Sequence, residues 1–109
     1  MRAMLLQATG SLEANPEPLV LANVDDPSPG DEEILIRVAA CGVCHTELDE
    51  IEGRTPPPVL PVIPGHEVVG RVVAQGRNAH RFRLGERVGV GWIHSSDGTD
   101  SVSYTHLTL

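Results

Sequence analysis

A proline-rich segment in the middle of the chain most strongly limits how it can fold. Residues 54–65, RTPPPVLPVIPG, contain five of the nine prolines in the 109-residue sequence. Proline lacks a backbone N–H and fixes φ, so the segment cannot form a helix or a central strand, and we predict a stiff extended loop. The loop separates a first β-rich part of the chain from a second one.

Short stretches on both sides of this loop have the composition and loose alternation of β-strands. Turn-forming Pro, Asn, Asp and Gly residues separate the early stretches. Gly70 interrupts one of the later ones and predicts a bulge or a close backbone approach. We predict strands at Met4–Ala8, Leu19–Val24, Glu33–Ala40, Val68–Ala74 and Arg87–Val90.

One short helix is predicted between the two β-rich parts. Thr46 and Asp49 have the spacing of an N-terminal capping pair, and Leu48 and Ile51 fall on one helical face. The helix would be about two turns long. Short strands with almost no helix indicate a mainly β fold, either a small β-barrel or a sandwich.

Length and composition exclude several classes of protein. A chain of 109 residues that is 40% hydrophobic supports one modest core. The net charge of -7 argues against a nucleic-acid partner. The N-terminus lacks a signal-peptide pattern, and no apolar run approaches the roughly 20 residues of a membrane-spanning helix. With only two cysteines, three positions apart, we expect a reducing, cytoplasmic location.

Two segments contain side chains suited to metal chemistry, CGVCHTELD and PGHEVVG. Thiolate and imidazole groups are both good zinc ligands. Cys44 and His66 are 22 positions apart, so the fold, and not one local turn, would have to bring them together. Each segment alone has another explanation, because Cys-x-x-Cys also suits redox chemistry and a histidine after a Pro-Gly turn is commonly a polar loop residue.

Four segments taken in order resemble the zinc-dependent medium-chain alcohol dehydrogenase family: PSPGDEEILIRV, CGVCHT, GHEVVG and GERVGV. The resemblance extends from the start of the chain to about Asp97. It implies that residues 1–100 are a GroES-like catalytic domain, a partly open β-barrel with one short helix. We expect no Rossmann domain in these residues, because no Gly-x-Gly-x-x-Gly fingerprint follows a strand.

The resemblance also implies a metal centre. Cys44 and His66 would bind the catalytic zinc, and Glu67 would lie near it as a possible further ligand. Glu47 stands where the family usually has aspartate, and it would orient His66 through the other ring nitrogen.

Three further residues have roles implied by the resemblance. Thr46 would accept the substrate's proton, and His45 would contact the cofactor's pyrophosphate and pass that proton towards solvent. Trp92 would form a wall of the substrate pocket. The alternatives are that Thr46 only caps the helix, that His45 is a surface histidine, and that Trp92 packs inside the barrel.

The remaining cysteine and histidines have no metal role in this prediction. Cys41 lies at the end of a strand, and we expect it to be a small core residue. The histidines at 80, 94 and 106 fit no metal spacing and are expected to be exposed.

The complete protein would transfer hydride between a small alcohol or aldehyde and NAD or NADP, as a homo-oligomer, while the 109-residue chain alone would be inactive. One alternative is a stand-alone zinc-binding or interaction module without catalysis. Another is a metal-free quinone reductase, which normally lacks the Cys44 and His66 pair. No structural zinc site is expected, since Asp97 and Asp100 stand where the first two cysteines of that site would be.

Residues 101–109, SVSYTHLTL, end the family resemblance abruptly. One set of codons for these residues matches, after its first base, the transposon-end and adapter sequence used in DNA library preparation. We therefore expect a non-native tail. The alternative is a genuine last strand, because the segment is rich in β-forming residues.

Overall fold

The computed structural model describes residues 1–92. The tail at 101–109, with Asp97, Asp100, His94 and His106, lies outside the described residues. A mainly β fold with one short helix is confirmed. The elements are β1 (Arg2–Leu6), β2 (Leu19–Asn23), β3 (Ile34–Gly42), α1 (His45–Glu52), β4 (Glu67–Gln75) and β5 (Arg87–Val90).

The chain forms two compact units. Within the described residues, unit 1 consists of Met1–Asp26 and Val43–Gly65, and unit 2 consists of Pro27–Gly42 together with residues 66–92. Unit 1 therefore contains β1, β2 and α1, and unit 2 contains β3, β4 and β5.

Unit 1 is built on an antiparallel pair of strands, β1 and β2. Leu6, at the end of β1, is fully buried, and Ile51 of α1 is also buried. The backbone of Leu6 exchanges two hydrogen bonds with Val62, with N–O distances of 2.8 and 3.0 Å. As predicted, the proline-rich segment forms no helix or regular strand, and this isolated bridge attaches it to β1.

Unit 2 contains an antiparallel sheet in the order β3-β4-β5. Its buried hydrophobic side chains within residues 1–92 are Val72, Ala79 and Val88. Burial alternates along β4, as expected for a strand with one covered face. Residues at the start of β4 therefore have fixed faces and a fixed register against β3.

The predicted irregularity at Gly70 is confirmed. The pairing of β3 with β4 shifts register between Val38 and Ala40, and Gly70 lies opposite Val38. A Cβ atom at position 70 would collide with the backbone oxygen of Arg37 and lie 2.6 Å from a methyl carbon of Ile36. The strands approach closely there because Gly70 has no side chain.

The ends of the strands differ from the sequence prediction. The first strand was expected at Met4–Ala8 but occupies Arg2–Leu6. The reason is a tertiary contact: beyond Leu6 the chain turns towards α1, where the backbone N–H of Gly10 donates to the carbonyl oxygen of Ile51 at 2.9 Å. Among residues 1–92, no helix is long and apolar enough to cross a membrane.

Candidate functional site

The start of α1 fixes the sulfur of Cys44. Cys44 is the N-cap residue, with extended backbone angles of φ -120° and ψ -175°. Its Sγ accepts a hydrogen bond from the backbone N–H of Thr46 at 3.3 Å and another from the backbone N–H of Glu47. The sulfur is therefore held at the helix N-terminus, where N–H groups and the helix dipole favour negative charge.

Glu47 completes this cap from the other side. Its Oε2 accepts a hydrogen bond from the backbone N–H of Cys44 at 2.7 Å, and the residue is only 5% exposed. The sequence prediction of Thr46 and Asp49 as the capping pair was wrong, because Cys44 and Glu47 occupy the two capping positions. Thr46 lies inside the helix, so its hydroxyl is not the N-cap acceptor.

His45 and Asp49 lie one turn apart on α1. The Nδ1 atom of His45 is 3.4 Å from Oδ1 of Asp49, and the His45 side chain is 77% exposed. Arg54 donates through Nε to the same carboxylate oxygen at 2.6 Å and through Nη1 to Glu52 at 3.2 Å. The hydrogen bond from Arg54 holds the pKa of Asp49 below its ordinary value of 3.8, with His45 contributing in the same direction.

His66 is the first residue of the second segment of unit 2, and its ring stacks on the ring of Trp92. The ring centroids are 4.1 Å apart with an interplanar angle of 25°. The His66 side chain is 13% exposed, and its Nε2 lies 3.9 Å from Oε1 of Glu67. One face of the imidazole is thus covered by an indole ring, and a carboxylate lies near one of its nitrogens.

Trp92 does not pack in a core, because 64% of its surface is exposed. Together with His66, Glu67, Val69 and Val90 it borders a concave region of unit 2 with a volume of about 310 Å³. The region is open to solvent. Trp92 contacts His66 and does not pack in a core, and its role as a wall of the substrate pocket stays a prediction.

A larger depression in unit 2, of about 680 Å³, is bordered by Arg81, Arg83 and Glu86. It is as open to solvent as the region beside Trp92, its sides are charged, and none of the predicted metal-binding residues borders it, so we do not assign the reaction chemistry to it. His80 also borders it and is exposed, as predicted.

Cys41 corrects another sequence prediction. We expected a small core residue, but Cys41 is exposed, and its Sγ lies 3.6 Å from the carbonyl oxygen of Gly42. The prediction failed because this part of β3 is uncovered on both faces, with residues 37–41 all exposed.

The candidate residues are divided between the two units. Cys44, His45, Thr46 and Glu47 belong to unit 1, whereas His66, Glu67 and Trp92 belong to unit 2. The shared metal site and the orientation of His66 by Glu47 stay predictions. Sequence reasoning missed Gly42, which lies opposite Glu67; the available signal was a glycine within the segment CGVCHTELD.

The alcohol dehydrogenase GroES-like domain family matches residues 30–106. The match covers more than half of the chain, so the chain belongs to this family. The resemblance inferred from the four sequence segments is therefore confirmed.

Individual relatives are alcohol dehydrogenases. The chain is 41% identical over 99 residues to an alcohol dehydrogenase of Moraxella sp., a match that covers 90% of this chain and 28% of the relative. It is 46% identical over 83 residues to one of Rhizobium meliloti, covering 75% and 24%. The chain thus spans about a quarter of the length of these relatives.

Solved structures share the fold. An NAD-dependent alcohol dehydrogenase gives a TM-score of 0.76 at 29% identity, covering 96% of this chain and 29% of that one. A quinone oxidoreductase of Escherichia coli, crystallised with NADPH, gives a TM-score of 0.73 at 26% identity, covering 82% and 26%. Proteins of both kinds therefore have this domain architecture.

Proposed function

We propose that this chain is the zinc-binding catalytic domain of an alcohol dehydrogenase that, when complete, interconverts alcohols with aldehydes or ketones using NAD or NADP. The observation that carries the proposal is the cap of α1, where the Cys44 sulfur accepts two backbone hydrogen bonds at a helix N-terminus. Metal-bound thiolates are commonly stabilised by such donors. Membership of the family supports the same function.

The donor set fits zinc. Cys44 supplies a thiolate and His66 an imidazole, which are the ligand types that zinc prefers. Glu67 supplies a carboxylate beside His66 and is the candidate for a further ligand. Zinc bound there would act as a Lewis acid that lowers the pKa of a bound alcohol. With two strong ligands in this chain, we expect weak zinc binding.

Thr46 and His45 are suited to moving the proton that the alcohol loses. The Thr46 hydroxyl is not the N-cap acceptor of α1, so it is suited to accepting a hydrogen bond from substrate. His45 follows Cys44 directly in the sequence, and its imidazole side chain is 77% exposed to solvent. We assign to His45 the transfer of this proton to solvent and the contact with the cofactor's pyrophosphate.

Trp92 is proposed as a wall of the substrate pocket. Its ring contributes to the concave region of about 310 Å³ beside His66. A large aromatic ring in that position favours small or slender alcohols, because it takes up volume that a bulky substituent would need.

The wider properties of the complete protein follow from the same proposal. We expect a cytoplasmic homo-oligomer that acts on small molecules and binds neither nucleic acid nor membranes. The 109-residue chain should not turn over alcohol or bind NAD tightly, because its sequence has no Gly-x-Gly-x-x-Gly fingerprint. Calorimetric titration with NAD and NADP checks this, and a micromolar dissociation constant for either would contradict it.

A second function is a metal-free reductase, and it is favoured by the likeness to quinone oxidoreductases. A stand-alone zinc-binding module is the third. Metal binding distinguishes the metal-free reductase from the alcohol dehydrogenase and from the stand-alone zinc-binding module. Turnover of alcohol by a longer version of the chain that includes a cofactor domain distinguishes the alcohol dehydrogenase from the stand-alone module.

The test of the zinc proposal uses cobalt substitution and visible spectroscopy. Cobalt(II) bound to a thiolate gives an intense charge-transfer band, and the chain has two thiols, at Cys41 and Cys44. We expect the band in the parent chain, its loss in Cys44→Ser and its retention in Cys41→Ser. His66→Ala should weaken cobalt binding. A band that survives Cys44→Ser, or no cobalt binding in the parent chain, would refute the proposal.

A further inference from the structure

The carboxylate of Glu67 occupies space that a side chain at position 42 would need. Gly42 is the last residue of β3 and lies directly opposite Glu67, the first residue of β4. A Cβ atom built on Gly42 would collide with Oε2 of Glu67 and would lie 3.1 Å from its Cβ and 3.3 Å from its Cδ. The Glu67 side chain therefore lies across the backbone of Gly42.

This placement brings the carboxylate close to His66. His66 lies in a bend just before β4, and Glu67 is the first residue of that strand, so the register of β4 against β3 sets where the Glu67 side chain lies. Here Oε1 of Glu67 lies 3.9 Å from Nε2 of His66, although half of the Glu67 side chain is exposed. An exposed glutamate has other rotamers available in solvent, and the space above Gly42 favours the one observed.

We propose that Gly42 is a positioning residue for Glu67: by having no side chain, it gives the carboxylate a place beside the His66 imidazole. The inference rests on the proposed function, in which His66 is a zinc ligand. A negative charge at this distance from the ring nitrogen strengthens the attraction for a cation bound there. Gly42 would thus act on the metal through Glu67, without touching it.

A double-mutant cycle separates this role from a purely structural one. The variants are Gly42→Ala, Glu67→Ala and the combination of both. Glu67→Ala removes Cδ and Oε2 and leaves only the Cβ contact at 3.1 Å, which a shift of a few tenths of an ångström relieves. Gly10→Ala is the matched control, because a Cβ at position 10 would meet nothing within 4 Å.

Two measurements are made on each variant. The first is the nuclear Overhauser effect between the Glu67 γ-methylene protons and the Gly42 α-protons in the metal-free parent chain, which we expect to be strong. The second is zinc affinity by competition with a chromophoric chelator. We expect Gly42→Ala and Glu67→Ala each to weaken zinc binding roughly tenfold. The double variant should bind no more weakly than Glu67→Ala, and Gly10→Ala should bind like the parent.

The results that would contradict the inference differ from those that would contradict the proposed function. If Gly42→Ala weakens zinc binding as much in the Glu67→Ala background as in the parent, the glycine acts on the strand and the inference is overturned. Absence of the Overhauser effect in the parent chain also overturns it, whether or not the variants fold. If the effect is present but the parent chain binds no zinc, the proposed function fails while the positioning of Glu67 by Gly42 is established.

Discussion

Replacing Glu47 by alanine tests whether the capping box holds the start of α1. In the parent chain Oε2 of Glu47 accepts the backbone N–H of Cys44 at 2.7 Å in a position that is 5% exposed. Loss of a helix cap costs about 0.5–2 kcal/mol, and a donor left without its acceptor costs about 1–3 kcal/mol when it is fully buried. The two figures describe the same interaction, and the hydrogen bond is part-buried, so we expect Glu47→Ala to lower the free energy of unfolding by about 1 kcal/mol.

Glu47→Gln distinguishes the hydrogen bond from the charge. Its amide oxygen can accept the same hydrogen bond without a negative charge, so we expect it to recover at least half of the lost stability. Glu50→Ala is the matched control, because it removes a glutamate from the same helix three residues later; its effect should stay within about 0.5 kcal/mol. The assay is urea denaturation followed by far-UV circular dichroism, with unchanged m-values as the condition for comparing variants.

A loss below about 0.5 kcal/mol in Glu47→Ala would mean that Glu47 does not hold the start of α1. In that case the orientation of the Cys44 sulfur could not be attributed to the cap. If Glu47→Gln were as unstable as Glu47→Ala, the carboxylate charge, and not the hydrogen bond, would be the stabilising element.

Two further predictions concern stability. The hydrogen bond from Arg54 lowers the pKa of Asp49 from its ordinary value of 3.8. Ionised Asp49 therefore stabilises the fold at pH values above 3.8, and this contribution is lost as the pH falls through the lowered pKa. Arg54→Met should move the Asp49 pKa back towards 3.8 in a carboxyl NMR titration and lower stability at neutral pH but not in strong acid; an unmoved pKa would refute the pairing. Val72→Ala removes two methyl groups from a side chain that is 1% exposed and should cost about 2 kcal/mol. Val73→Ala, at a neighbouring position that is 38% exposed, should cost less than about 1 kcal/mol in the same denaturation assay, and equal losses would contradict the assigned faces of β4.

The strands could be predicted from the sequence because their signals are local. β-branched composition and flanking turn residues identified all five strands of residues 1–92, and β5 has the predicted bounds. The ends of β1 could not be predicted, since the contact between Gly10 and Ile51 joins residues that are distant in sequence. The burial of Cys41 was mispredicted for a similar reason: burial depends on what packs against a strand, and both faces of β3 at residues 37–41 are exposed.

The candidate site was predicted partly from local pattern and partly from family resemblance. The capping pair was misassigned because Ser, Thr, Asp and Asn are the preferred N-cap residues, and Thr46 was the first of these near the helix. The stacking of Trp92 on His66 was not predicted, because it joins residues from distant parts of unit 2. The place of Glu67 above Gly42 depends on the register of β3 and β4, which strand propensity does not determine.

The fold by itself does not decide the chemistry, since alcohol dehydrogenases and quinone oxidoreductases share it. The choice of residue at position 44 is more informative. The N-cap of α1 needs an acceptor for backbone N–H groups, and an oxygen from Ser, Asp or Asn meets that need better than sulfur does. Cys44 therefore gives up helix stability at a position where better caps exist. This departure from the local optimum supports the proposed function, in which the Cys44 sulfur is a zinc ligand, because thiolate is a ligand type that zinc prefers.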